Sequence, residues 1–438
     1  MDRNEKILKG YSILVKGKQI ALITKKKVKA DEKIDARGKI VIPGFINCHH
    51  HLFQVGLRGN PALQNQPIDR WIKIVSNYAT VIDEEIVYLS ALVNMAELLL
   101  YGCTTTTDMH YIFPKGNSFI EATIKAAQDI GIRFHPYRGS MSLSKKDGAE
   151  FPDKAVEKPD DIATRTEAVI TKYHNPDKFS MLRIGIAPCT IFTSRREDYK
   201  NALILAKKYD LLLQTHLGES SFENKYTKNK FGKRPLSFLM DLGWEGKNVS
   251  FVHGINMNIR EIKELAQTNT HVVHCPISNA RKPIGEEGVA PVYSMLTKGV
   301  NVAIGVDGSA GNDSSNVLEE LRWARTLQGI RKDSTYLKPS PVMAMGTING
   351  ARLLGRETEI GSIEEGKAAD LAIFDITDTL ERVGSIYDPQ TMLLACQATR
   401  ADTVIVNGKK VVEKSQLINL DAKKIICKLN KRLKKLSY

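Results

Sequence analysis

Ile40-Val41-Ile42-Pro43-Gly44-Phe45-Ile46-Asn47-Cys48-His49-His50-His51-Leu52-Phe53-Gln54 joins an apolar β-type run to three consecutive histidines. Pro43-Gly44 interrupts the run and Phe45-Ile46 resumes it. Side chains on a strand alternate faces, so His49 and His51 point one way and His50 the other. Two imidazoles on one face can grip one metal ion. Three histidines in an exposed loop is the other reading, and further ligands elsewhere in the chain decide between them.

Working outward, β-type runs recur at Cys103–Thr107, Arg133–Tyr137, Met181–Ala187, Leu211–His216, Val249–His253, His271–His274 and Val300–Gly305. Helical periodicity lies between them, as at Glu84–Leu100, Asp160–Tyr173 and Glu261–Gln267. Alternating β and α elements imply a parallel sheet. Eight such units fit a (β/α)8 TIM barrel, an α/β fold whose catalytic residues sit at the C-terminal ends of the strands. Outside the barrel, Ser12–Val15 and Gln19–Ile23 flank a hairpin signal at Lys16-Gly17-Lys18. Ala369–Phe374 and Thr403–Val412, with a turn at Asn407-Gly408, mirror this at the far end. The expected division is a barrel over residues 41–355 and a small β-sandwich domain formed from both termini, residues 1–40 and 356–438.

The 438 residues can bury a large core and exceed one α/β domain. A hydrophobic content of 42% and a charged content of 26% are those of a soluble globular protein. No run reaches the roughly 18 apolar residues of a membrane span. Met1–Lys6 is polar and lacks the apolar core of a signal peptide. Six cysteines are scattered with no C-x-x-C pair, which suits unpaired thiols in a reduced cytoplasm. The net charge of +14 raises an anionic partner such as nucleic acid. The lysines are dispersed and no aromatic-interleaved basic motif occurs, so the expectation is a solvated surface with neither nucleic acid nor membrane as partner.

His216 closes the run Leu211–Thr215, and Glu219 follows three residues later. His253 ends Val249–Val252, and Asp307 ends Val302–Val306. Singly, each has a structural alternative: a histidine hydrogen-bonded at a strand end, or an aspartate capping the next helix. Four strand ends delivering His, His, His and Asp to one rim point instead to a site. Three neutral imidazoles and one carboxylate, with a position open for water, suit a catalytic Zn²⁺. Zinc lowers the pKa of its bound water to about 7. Glu219 is placed to take a proton from the water and hand it to a leaving nitrogen. His253 would donate to or orient the hydroxide or the developing tetrahedral centre.

His49-x-His51, His216-x-x-Glu219, Val252-His253-Gly254, His274-Cys275-Pro276 and Gly305-Val306-Asp307-Gly308-Ser309 together resemble the metal-dependent amidohydrolase superfamily. Within it they resemble the aminohydrolases that deaminate guanine, 8-oxoguanine, pterins and s-triazines. The resemblance covers nearly the whole chain, including Gly361–Leu371, which is similar to the family's return into its β-sandwich. It implies one catalytic Zn²⁺ per chain, Fe²⁺ in some relatives, on His49, His51, His216 and Asp307. It also implies Glu219 as proton shuttle, Asp307 as a second acceptor for the water's proton, and Gln54 as a contact to the heterocycle. A small heterocyclic substrate, water and a homo-oligomer complete the picture. Binuclear relatives carry a carboxylated lysine on the fourth strand; Met181–Ala187 has none.

Guanine deaminases carry Pro-Arg-Phe after the fourth strand, where this chain reads Ala187-Pro188-Cys189-Thr190. Arg138–Gly148 and Gly308–Asp313 instead resemble the branch of 8-oxoguanine deaminase and hydroxytriazine aminohydrolases. Arg138 is therefore a candidate substrate contact, with a structural ion pair as its alternative. Thr107–Tyr111 departs from relatives that have a second histidine where Met109 stands. The expected reaction is 8-oxoguanine to urate and ammonia. The alternatives are deamination of isoxanthopterin, another pterin or guanine, and s-triazine hydrolysis at C–N or C–Cl. Two terminal features remain. Relatives have another strand before a segment like Tyr11–Val15, so a first sandwich strand is expected to be missing. Ala422–Leu436 places Ile425, Ile426, Leu429, Leu433 and Leu436 on one stripe opposite lysines. That helix is expected to dock on its own protein rather than on a membrane.

Overall fold

At Pro43-Gly44 the chain changes sheets. In the computed structural model, β1 (Ser12–Lys16) and β2 (Gln19–Thr24) form a hairpin, and β3 (Lys39–Pro43) joins a five-stranded antiparallel sheet. One residue later β4 (Phe45–Asn47) opens a second sheet of eight strands. What the sequence presents as one interrupted strand is thus two strands in two sheets, and the chain crosses between them at Gly44. A Cβ at Gly44 would lie 2.1 Å from Thr104 Oγ1, so only glycine lets the backbone cross there. The structure describes residues 7–436 except 67, 115, 150, 282–287, 332–336, 377–379, 381–387, 396–398 and 419. Met1–Lys6 and Cys396 therefore lie outside the described residues.

The eight-stranded sheet continues through β5 (Cys103–His110), β6 (Arg133–Ser140), β7 (Gly185–Pro188), β8 (Leu213–Leu217), β9 (Val249–His253), β10 (His271–His274) and β11 (Val302–Ile304). Neighbours in sequence are neighbours in the sheet and every pair is parallel. The first strand returns to the last: Cys48 N–H donates to Ile304 O at 2.9 Å and Asp307 N–H to His49 O at 3.2 Å. This is the closed (β/α)8 TIM barrel. The run expected at Met181–Ala187 starts late, at Gly185. Before it, Leu182 keeps a single parallel bridge to Phe134, with Phe134 N–H donating to Met181 O at 2.9 Å and Arg183 N–H to Phe134 O at 3.2 Å, while the Arg183 side chain reaches Glu359 (2.9 Å) and the Pro176 carbonyl (2.9 Å).

The remaining strands, β12 (Leu371–Asp375), β13 (Thr403–Val406), β14 (Lys409–Glu413) and β15 (Gln416–Leu417), complete the antiparallel sheet with β3. The β1–β2 hairpin faces it through Ile20 N–H to Lys367 O (2.9 Å) and Ala369 N–H to Lys18 O (2.8 Å). Ile20, Ile363, Ala369, Leu371 and Ile405 form a separate apolar core between them. Both termini therefore build the small domain. Arg133, fully buried at the start of β6, ties it to the barrel through Asp370 at 3.0 Å.

Helix α1 (Ile68–Val81) leads into α2 (Glu84–Leu100), which packs against β5 and is capped by Asp83, which accepts from Ile86 N–H at 3.0 Å. The last helix, Ala422–Leu433, docks on α2: Leu429 is buried, and Lys428 and Arg432 reach Glu85 at 2.6 and 3.3 Å. Ile426 departs from the expected stripe and faces solvent. No helix among the described residues is long and apolar enough to cross a membrane.

Candidate active site

The segment past β4 carries His49 and His51 beyond the strand end, so strand alternation is not what aligns them. Each is fixed by its own acceptor. His49 Nδ1–H donates to Gln214 Oε1 at 2.9 Å, and Gln214 is oriented because its Nε2 donates to Cys48 O (3.1 Å) and Ser250 Oγ (3.2 Å). His51 Nδ1–H donates to Met109 O at 2.8 Å, and His216 Nδ1–H to Cys189 O at 2.8 Å. A carbonyl acceptor demands a donor, so all three rings hold their proton on Nδ1 and present the Nε2 lone pair. Those lone pairs converge: His216 Nε2 lies 3.2 Å from His49 Nε2 and 3.3 Å from His51 Nε2. Burial first, and the neighbouring imidazoles second, hold His51 well below the usual histidine range and His216 down to about 3. Three neutral nitrogens facing one point repel each other unless a cation sits among them, so the donor set fits a metal ion.

Asp307 lies beside these three rings, with Oδ1 3.5 Å from His49 Nε2 and 3.4 Å from His51 Nε2. Its other oxygen accepts from Ser278 Oγ at 2.5 Å. His253 faces the cluster from β9, its ring stacked on His216 at 5.4 Å between centroids. His253 Nδ1 bonds Asn279 Oδ1 at 2.8 Å, and Nε2 lies 3.6 Å from Glu219 Oε1. Both His253 (φ 79°) and Asp307 (φ 63°) hold left-handed backbone conformations that non-glycine residues adopt only at a cost, a mark of sites where side-chain aim outweighs local comfort. Ser278 and Asn279 are consecutive residues on the short helix Pro276–Arg281, so one turn orients two candidate groups.

These groups open into a cleft lined by Glu219, His253, Asp307, Tyr111, Cys189 and Thr190 together with the apolar Trp71, Ile72, Phe151 and Phe192. Flat apolar walls and a polar floor suit a planar ring carrying a few polar edges.

The rim brings together His49, His51, His216, Asp307, Glu219 and His253. Two expected substrate contacts are not in it. Arg138 is fully buried on the outer side of β6, paired with Glu157 through Nη1 (2.7 Å) and Nη2 (2.8 Å) and stacked 3.8 Å over Phe113. It is the structural ion pair, because its register turns it toward the helical layer. Gln54 is also fully buried: Oε1 accepts from Ala310 N–H at 3.2 Å and Nε2 donates to Tyr111 Oη at 3.3 Å. It stands behind the cleft wall rather than in it. His50 points away as expected, bonded to Ser315 Oγ at 3.0 Å. Gln214, Ser278 and Asn279 were not legible as site residues, since nothing local marks an amide or hydroxyl that serves another side chain. The aromatic wall was missed because an isolated Trp or Phe reads as core.

A convergent imidazole–carboxylate rim on a (β/α)8 barrel defines a metal-dependent hydrolase. The chain belongs to the amidohydrolase family, whose profile matches residues 40–411, and it acts as such enzymes do on carbon–nitrogen bonds. It is 36% identical to an 8-oxoguanine deaminase of Pseudomonas aeruginosa over 90% of this chain and 87% of that one. It is 32% identical to a hydroxydechloroatrazine ethylaminohydrolase of Pseudomonas sp. strain ADP over 89% and 81%. Among solved structures, the zinc complex of atrazine chlorohydrolase from Arthrobacter aurescens TC1 superposes with a TM-score of 0.93 at 31% identity, covering 99% of this chain and 97% of that one.

Proposed function

We propose that this chain deaminates a purine-like heterocycle, and that its reaction is 8-oxoguanine plus water to urate plus ammonia. The observation that carries this is the Glu219–His253 pair set directly beside three pinned imidazoles in one cleft, in a chain 36% identical to an 8-oxoguanine deaminase. His49, His51, His216 and Asp307 would hold one divalent ion, zinc by the chemistry of the donors. Bound there, it supplies a Lewis acid that lowers the pKa of water to about 7. Glu219 takes one proton from the attacking water and delivers it to the exocyclic nitrogen, so that the amine leaves as ammonia. The water oxygen becomes the new ring carbonyl. His253, anchored by Asn279, orients the attacking oxygen, and Asp307 is the second acceptor for its proton. Trp71, Phe151 and Phe192 sandwich the ring and exclude bulk water.

The same reading carries one ion per chain, a homo-oligomer and a cytoplasmic setting; the five described cysteines are all unpaired thiols, which supports the last. Hydroxytriazine hydrolysis is the second reading, favoured by the similarity to the ethylaminohydrolase. The test is to load the purified protein with zinc, offer it 8-oxoguanine, isoxanthopterin, guanine and aminotriazines, and measure ammonia release. The highest kcat/KM is expected for 8-oxoguanine. A triazine in first place would favour the second reading, and no release from any of them would overturn the assignment.

A further inference from the structure

Tyr111 follows β5 directly and lines the cleft, its ring set edge-on to His51 at 5.0 Å and to Phe53 at 5.6 Å. Among the described residues its hydroxyl has one hydrogen-bond partner, Gln54 Nε2 at 3.3 Å. The direction of that bond is fixed from behind. Ala310 N–H is a backbone donor and can only donate, so the end of Gln54 that faces it at 3.2 Å is the carbonyl oxygen. Gln54 cannot flip its amide without setting its NH₂ against that N–H. Gly308 seals the arrangement, because a Cβ there would lie 2.0 Å from Gln54 Oε1. The NH₂ end of Gln54 must then donate to Tyr111, and the phenol oxygen accepts. A phenol that accepts from one side still carries its own hydrogen, and the side left open to it is the cleft. The chain of bonds Ala310 N–H to Gln54 and Gln54 N–H to Tyr111 polarises the last O–H further.

We infer that Tyr111, rather than Gln54, is the polar group that reads the substrate on this wall: it donates to a ring carbonyl oxygen, and Gln54 is a positioning residue that sets its polarity. The inference rests on the proposed purine substrate and names the feature of it that is recognised. An amino group in place of that oxygen would set donor against donor, and a hydrogen would leave the phenol without an acceptor.

The experiment uses the zinc-loaded enzyme and three ligands: 8-oxoguanine, guanine (lacking the 8-oxygen) and 2-amino-8-hydroxypurine (lacking the 6-oxygen). For Tyr111→Phe, Gln54→Met and the double variant, kcat/KM is measured, or Ki where turnover is slow, together with metal content. Tyr111→Phe should lose about 10-fold for ligands carrying the recognised oxygen, the size of one neutral hydrogen bond, and little for the ligand lacking it. Gln54→Met should show the same selectivity. The double variant should be no worse than Tyr111→Phe alone, since both changes act through one hydroxyl. Metal content should stay at the wild-type level in all three. Equal losses on all three ligands, no loss on any, or additive losses in the double variant would overturn the inference. If the wild-type enzyme neither binds nor turns over any of the three, the purine assignment itself falls, before any variant is compared.

Discussion

Along the strand-end wall of the cleft, each group is held by a second one. His49 leans on Gln214, His51 and His216 on backbone carbonyls, Asp307 on Ser278, and His253 on Asn279. Along the apolar lining, Trp71 comes from α1 while Phe151 and Phe192 come from loops. Among the described residues Phe192 sets its ring edge-on to Phe222 at 5.4 Å and to Tyr226 at 6.3 Å. The contrast shows what each wall is for. Proton transfer and metal binding fail when a group moves by a fraction of an ångström, so these groups sit on strand ends with supporting bonds. Enclosing a flat ring demands shape alone, which loops and helices supply and can vary.

The largest effect expected is at Asp307, proposed as a metal ligand. Asp307→Ala should cost on the order of 10⁴-fold or more in ammonia release, with most of the metal lost by elemental analysis. Two stoichiometric metals in the wild type would break the single-ion assignment. Glu219→Gln should lose about 10²–10⁴-fold in rate while keeping its metal; loss of metal would make Glu219 a ligand instead. Ser278→Ala and Gln214→Leu probe the supporting layer and should each cost about 10–100-fold in metal affinity or activity. An effect below twofold for both would mean that the strand-end wall does not depend on its supports. Phe192→Ala tests the other wall. Loss of one stacked ring, about 1–3 kcal/mol, should appear in KM rather than in metal content. Arg138→Met should have the smallest effect on selectivity. Arg165 Nη1 still holds Glu157 at 2.9 Å, so the stability cost should fall below the ~3–5 kcal/mol of a buried carboxylate left wholly unpaired, read as a modestly lower Tm. The 8-oxoguanine to guanine ratio of kcat/KM should not move, and a shift would return Arg138 to the substrate.

The ring of strand-end groups was legible because each lies at the end of an apolar β-type run, and a barrel gathers all such ends on one face. His253 and His271–His274 fall where the periodicity places them. The switch of sheets at Gly44 was not legible, since two short strands flanking Pro-Gly read as one until their hydrogen-bond partners, β12 and β5, are known. Arg138 shows the same limit. Its position on a strand is clear from sequence, but only the closed barrel decides that its face looks outward to Glu157.

By itself, then, the sequence determined the alternation of strands and helices, the placement of histidines and Asp307 at strand ends, and the return of both termini to one small domain. Those features are local: they need only periodicity, turn chemistry and residue type. The tertiary structure alone decided that Gln54 turns its oxygen to Ala310, 256 residues further along the chain, and so hands the cleft a tyrosine hydroxyl in place of an amide. Hydrogen-bond polarity is set by whichever donor or acceptor arrives from elsewhere, and no local pattern encodes a partner brought close only when the barrel closes.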